Sequence, residues 1–115
     1  MFPADQIDAL KRAYSTLSLI EEGSFKFILI EGLKLPDGCE PRMVNGLLCP
    51  MHRDGYPSRL FLSLKIIHRG KGQNWNPPGG SIIQGQQWWA VSWKTTRPNQ
   101  TLLEMVLDHL EAFRV

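Results

Sequence analysis

The 115 residues, 43% hydrophobic and 21% charged, suit one soluble domain and leave too little chain for two independent cores. A formal net charge of +2, with basic residues scattered as at Lys11-Arg12 and Arg69-Gly70-Lys71, gives no electrostatic case for a nucleic-acid or membrane partner. No apolar stretch approaches the length of a bilayer span and the first residues lack a basic-then-apolar leader, so the expectation is a cytoplasmic protein with Cys39 and Cys49 reduced.

Residues 3 to about 20 carry Ile7, Leu10, Tyr14 and Leu17 at helical spacing, with Asp8, Lys11, Arg12 and Ser15 on the other face. This predicts a first helix, with Pro3 in its first turn and Gly23 as its stop. Phe25 to Ile30 is rich in strand formers. Pro36-Asp37-Gly38 signals a turn, and a second strand fits Met43 to Cys49, interrupted by Gly46. After Asp54-Gly55-Tyr56-Pro57, Leu60 to Ile67 reads as a third strand, with Leu60, Leu62, Leu64 and Ile66 on one side of the pleat. From His68 to Arg97, Gly and Pro punctuate a long irregular segment that contains Trp75, Trp88, Trp89 and Trp93. Segments this long are usually functional or hold short elements. A closing helix follows: Thr101 and Glu104 have capping-box spacing, and Leu103, Val106, Leu107, Leu110 and Phe113 form its apolar stripe. Strands grouped between two helices give a single α+β domain over residues 1–115 rather than alternating βαβ units.

Few residues in this order invite chemistry. Ser81 lies in the Gly-rich turn Gly79-Gly80-Ser81-Ile82-Ile83; its ordinary role would be to bond its own backbone, and Ser92 is a second, weaker candidate hydroxyl. His52 and His109 have no second ligand at metal spacing, so no metal site is expected. Pro77-Pro78-Gly79-Gly80 lacks the Lys-Ser/Thr of a phosphate loop and reads as a rigid approach to the turn, with no cofactor implied. Trp75, Trp88 and Trp89 are candidate partner-binding residues, because Trp is enriched at interface hot spots. Adjacent residues of an extended chain point oppositely, so one of Trp88 and Trp89 should face outward, while Trp93 is assigned to the core. Cys49 reads as a core or edge residue and Cys39 as an accessible thiol in a turn.

Gly55-Tyr56-Pro57, His68 at the end of the third strand, Gly80-Ser81-Ile82, then Trp93, Pro98 and the helix from Thr101 occur in an order that resembles the ubiquitin-conjugating enzymes, over roughly residues 3 to 113. Leu35-Pro36-Asp37-Gly38 with Pro41 resembles more closely a bacterial branch of that superfamily, whose members accompany ubiquitin-like proteins, activating enzymes and peptidases. The resemblance implies a UBC-like α+β fold, with an N-terminal helix, a meander of three or four strands, an active-site-like segment and a C-terminal helix. It implies two partners, a ubiquitin-like protein and an adenylating activating enzyme docked near the first helix. By analogy alone, it suggests a role in antiphage defence.

The departures bear on chemistry. The family's Gly-Ser-Ile-Cys turn presents the thiol that carries the modifier as a thioester; here Ile83 stands at the thiol's position. His68 matches the histidine of the His-Pro-Asn box, but Arg69 and Gly70 replace its Pro and Asn. Losing such an oxyanion donor typically costs about 100- to 1000-fold in rate, unless Asn74 or Asn76 substitutes. A carrier would then need Ser81 as an oxyester-forming nucleophile with His68 as its base. The expectation is therefore a conjugating-enzyme-like component that presents the modifier or carries it on Ser81. The alternative is a non-catalytic adaptor comparable to inactive UBC variants and RWD domains. A single-stranded nucleic-acid binder, stacking tryptophans beside Arg69, Lys71, Lys94 and Arg97, is disfavoured by the low charge and the lack of an RNA-binding signature.

Overall fold

The computed structural model describes residues 2–70, 72–95 and 97–114; Lys71, grouped above with the tryptophans, lies outside them. The first helix, α1, is Ala4–Ala13, shorter than its apolar spacing predicts. The chain then turns into a strand, β1 (Leu17–Glu22), which forms a hairpin with β2 (Phe25–Lys34). Gly23 is therefore no helix stop. It opens the two-residue hairpin turn at φ +61°, a backbone conformation that glycine takes without a Cβ clash.

Two residues of β3 (Cys39–Glu40) precede β4 (Met43–Cys49), whose bounds match the sequence reading. The predicted third strand divides. Arg59–Leu62 is β5 and Ile67–His68 is β6, which pairs with β3 in a separate ladder. Leu64 faces solvent while Ile66 is buried, so the expected pleat does not continue past Leu62. The segment read as irregular holds a second hairpin, β7 (Ser81–Ile83) and β8 (Gln86–Trp88).

The closing helix, α2, is Leu102–Leu110, followed by a 3₁₀ turn at Glu111–Phe113. Its capping box forms as predicted: the Glu104 N–H donates to Thr101 Oγ1 at 3.2 Å, and the Thr101 N–H donates to Glu104 Oε1 at 2.8 Å. The buried face is rotated from the predicted stripe. Leu102, Val106, His109 and Leu110 point inward, Leu103 is half-buried and Leu107 is exposed. Among the described residues, no helix is long and apolar enough to cross a membrane.

The antiparallel sheet runs β1-β2-β4-β5 and is covered on both faces. Alternation along the strands sends Ile28, Ile30, Leu48, Leu60 and Leu62 to one face, against Leu10 of α1 and Leu102, Val106 and Leu110 of α2. Phe27, Leu47, Cys49 and Phe61 point to the other, where Ile83, Trp88 and Ala90 cover them. A bulge between Ile30 and Leu33 of β2 shifts the register. Leu33 thereby packs over Gly46, where a Cβ would come within 2.6 Å of Leu33 Cδ2. Gly46→Ala should therefore cost about 1–3 kcal/mol through overpacking, read as a lowered thermal midpoint with an unchanged far-ultraviolet spectrum.

Candidate functional site

Gln84 and Gly85, both at positive φ (55° and 71°), make the two-residue turn of the β7–β8 hairpin. The hairpin lies over the sheet face away from the helices. Ile83 is fully buried there among Phe27, Leu47, Phe61 and Trp88. The residue that resembles the thiol's position is thus a core side chain. Ile82 points outward at 61% exposure, and Ser81 is half-buried opposite Trp88. Only glycine fits at Gly80, where a Cβ would sit 2.6 Å from the Trp88 carbonyl oxygen.

His68 belongs to a different neighbourhood. It is buried on β6 beside Cys39, whose side chain joins the core on the helix side. Its ring lies over Gly38, where a Cβ would fall 2.7 Å from Cε1. Nδ1 accepts the Gly70 N–H at 3.0 Å, and Nε2 is buried without a hydrogen-bond partner. Neither ring nitrogen touches Ser81, so the pair needed for an activated hydroxyl is not assembled. Asn76 is engaged elsewhere: its Nδ2 donates to the Tyr56 hydroxyl at 2.9 Å. The Asn74 carbonyl accepts the Ser92 N–H at 2.7 Å.

The densest polar arrangement surrounds Arg59, a residue that the sequence reading passed over. Arg59 is 1% exposed at the head of β5. Its Nη1 donates to Asp54 Oδ2 at 2.8 Å, and its Nη2 donates to the carbonyls of Asn76 (2.7 Å) and Val91 (3.1 Å). The guanidinium stacks 4.5 Å from the Tyr56 ring centre. The Tyr56 hydroxyl meets Ser92 Oγ at 2.8 Å, and the bonds from Ser92 and then Asn76 lower its pKa. Gly55-Tyr56-Pro57 is in this way an anchor for the segment 74–92. The sequence signal was slight, a lone cation opening the apolar run Arg59-Leu60-Phe61-Leu62.

A second buried polar pair ties β5 to α2. Ser58 Oγ and His109 Nε2 are 2.9 Å apart, beneath a cleft of about 380 Å³ bordered by His52, Pro57, Arg97 and Gln100. Burial, only partly offset by Asp108, lowers the His109 pKa to about 4. The ring is therefore neutral at pH 7 and too weak a base to activate a serine. Its role is to satisfy the Ser58 hydroxyl inside the fold.

The tryptophans divide by burial. Trp88 is 4% exposed within the second core and offers no surface to a partner. Trp75, Trp89 and Trp93 are half-buried. Trp93 packs on the first core and donates its Nε1–H to Asp108 Oδ1 at 3.0 Å, while the Trp89 ring has Lys65 Nζ 5.4 Å from its centre. Cys39 is not the accessible thiol expected: it is buried, and burial raises the pKa of both cysteine thiols. Both are therefore poor nucleophiles. Among the described residues no three His, Cys, Asp or Glu side chains gather as a metal site. The chain matches no protein-family model, no curated protein and no solved structure.

Two measurements test the buried polar groups. Arg59→Met removes the cation and leaves the carbonyls of Asn76 and Val91 unpaired, while Asp54 keeps Arg53 at 3.7 Å, so chemical denaturation should show a loss of about 2–5 kcal/mol. For His109, the folded pKa of about 4 lies below the ordinary 6.5. Between these values the unfolded chain binds the extra proton. The contribution is complete above pH 6.5 and is lost as pH falls toward 4, by roughly 3 kcal/mol at most. In NMR the His109 ring should keep neutral-form shifts down to about pH 5.

Proposed function

We propose that this chain is a protein-interaction module of the ubiquitin-conjugating-enzyme type that holds its partners without a covalent intermediate. The observation that carries this reading is the burial of Ile83. In the family the chain resembles, this place presents the reactive thiol to solvent; here it supplies an aliphatic side chain to the core. The α+β order, a four-stranded antiparallel sheet β1-β2-β4-β5 with one helix before it and one after it in the chain, is compatible with this reading. A scaffold of this kind offers surfaces for an activating enzyme and a ubiquitin-like protein, and its two functions are docking and presentation. The separation of Ser81 from His68 argues against the serine carrier, since a hydroxyl without an adjacent base is a poor nucleophile.

The test is intact mass spectrometry of the protein after incubation with a bacterial activating enzyme, its ubiquitin-like protein and ATP, with Ser81→Ala in parallel. The expected outcome is an unmodified mass together with a non-covalent complex on gel filtration. A modifier-sized adduct that survives mild thiol, yields to hydroxylamine and vanishes in Ser81→Ala would replace the adaptor with a serine-linked carrier. Absence of both adduct and complex would remove these partners.

A further inference from the structure

We propose that the outer edge of β1 is a strand-addition site for an extended partner segment that alternates apolar and basic side chains. This deepens the reading of the chain as an interaction module and rests on it.

β1 ends the sheet order and pairs only with β2. The Glu31 N–H donates to the Thr16 carbonyl at 3.2 Å, so Thr16 faces inward. Strand alternation then turns the N–H and C=O of Leu17, Leu19 and Glu21 outward. Gln84 Nε2 bonds the Glu21 carbonyl at 2.7 Å, which fits this phase and closes one end of the edge. Leu17 and Leu19 remain, offering about four main-chain hydrogen bonds to an added strand. Over Leu17–Ile20 the usual guards of an edge are missing: this stretch contains no proline, no charged residue and no bulge, and Leu19 is 54% exposed.

The flanking chemistry selects the occupant. Ser18 and Ile20 point to the face away from the helices. Ile20 lines a crevice of about 220 Å³ there with Leu29, Leu47 and Trp88, and Glu31 stands at its border. An added strand would lean an apolar side chain into this crevice. Glu21, Glu22 and Glu31 form no ion pair among the described residues, although the protein as a whole is basic. Lys26 lies opposite Glu21 in the ladder without pairing to it. Glu22 accepts the Gln84 N–H at the hairpin end, and Glu31 stands on β2 opposite Thr16. None of the three has a cation in ion-pair range among the described residues, and this negative surround of the edge favours a basic partner. It disfavours a second copy of this chain, which would bring the same three charges to the seam.

The experiment is an NMR titration with amide exchange, using a blocked octapeptide of alternating valine and lysine and its valine–glutamate counterpart. The lysine peptide should slow exchange at Leu17 and Leu19 by about tenfold or more, and the glutamate peptide should bind at least about tenfold more weakly. Leu19→Pro removes an outward N–H and spares the ladder to β2, so it should abolish binding with the fold retained. Glu31→Lys, which touches no backbone pairing, should weaken the lysine peptide severalfold and serves if the proline variant does not fold. Equal binding of both peptides, protection at other amides, or concentration-dependent protection of Leu17 and Leu19 in the protein alone would overturn the assignment; the last would identify a second copy as the occupant. A covalent adduct in the conjugation assay would end the adaptor reading and leave this titration standing. Failure of the titration would leave a non-covalent complex standing.

Discussion

The arrangement depends on one buried cation. Residues 74–92 contain two short strands and several turns, and local hydrogen bonding alone would not fix their path. Arg59 fixes it from below by holding the carbonyls of Asn76 and Val91 while Asp54 neutralises it. A buried guanidinium is expensive to desolvate and is tolerated only when its donors are met and its face is packed. Both conditions hold, since three acceptors surround it and Tyr56 and Phe61 lie against its plane. Because the acceptors come from separate parts of the chain, this ionic cluster acts as a registration device. It sets where Ala90 and Trp88 land on the sheet, and hence where the β7–β8 hairpin can lie.

That placement makes the sheet two-sided and leaves it asymmetrical at its edges. At one end Leu62 exchanges backbone hydrogen bonds with Trp89, at 2.6 and 2.9 Å, so β5 is covered. At the other end β1 has no such neighbour. The β7–β8 turn reaches it only at Glu21 and Glu22, through Gln84. The element that closes the second core is thus also the one that limits the free edge. Packing and any recognition at β1 are coupled through a single turn, whose geometry depends on positive φ at Gln84 and Gly85.

Local signals were legible where local energetics decide. The Thr101–Glu104 box marked the start of α2, and the strand formers of Met43–Cys49 marked β4 without error at either end. Helical spacing of Ile7, Leu10, Tyr14 and Leu17 overran α1, because Leu17 meets the same core from a strand that those earlier residues meet from a helix. Periodicity records which face is buried, not which backbone presents it. The α+β order was therefore readable, whereas the break after Leu62 was not. Leu62 pairs with Gly46 on one side and with Trp89, 27 positions on, on the other, and no local spacing records that second partner. The polar cluster was hidden for the same reason. Arg59 and Val91 are separated by 32 residues and Ser58 and His109 by 51, and no spacing rule links them.

Burial limits what the turn at Ser81 can be. A catalytic thiol has to be exposed, or set beside a cation, to lose its proton near neutrality. The site of Ile83 is the opposite environment, enclosed by Phe27, Leu47, Phe61 and Trp88. A sulfur placed there would meet conditions like those at Cys49 in the same cluster, where burial raises the thiol pKa. The third residue of β7 closes a core, and its exposed second residue, Ile82, has no nucleophile to offer. Exposing the position of Ile83 would require moving the hairpin, and therefore giving up the cover over Phe27 and Phe61 on which that face of the sheet depends.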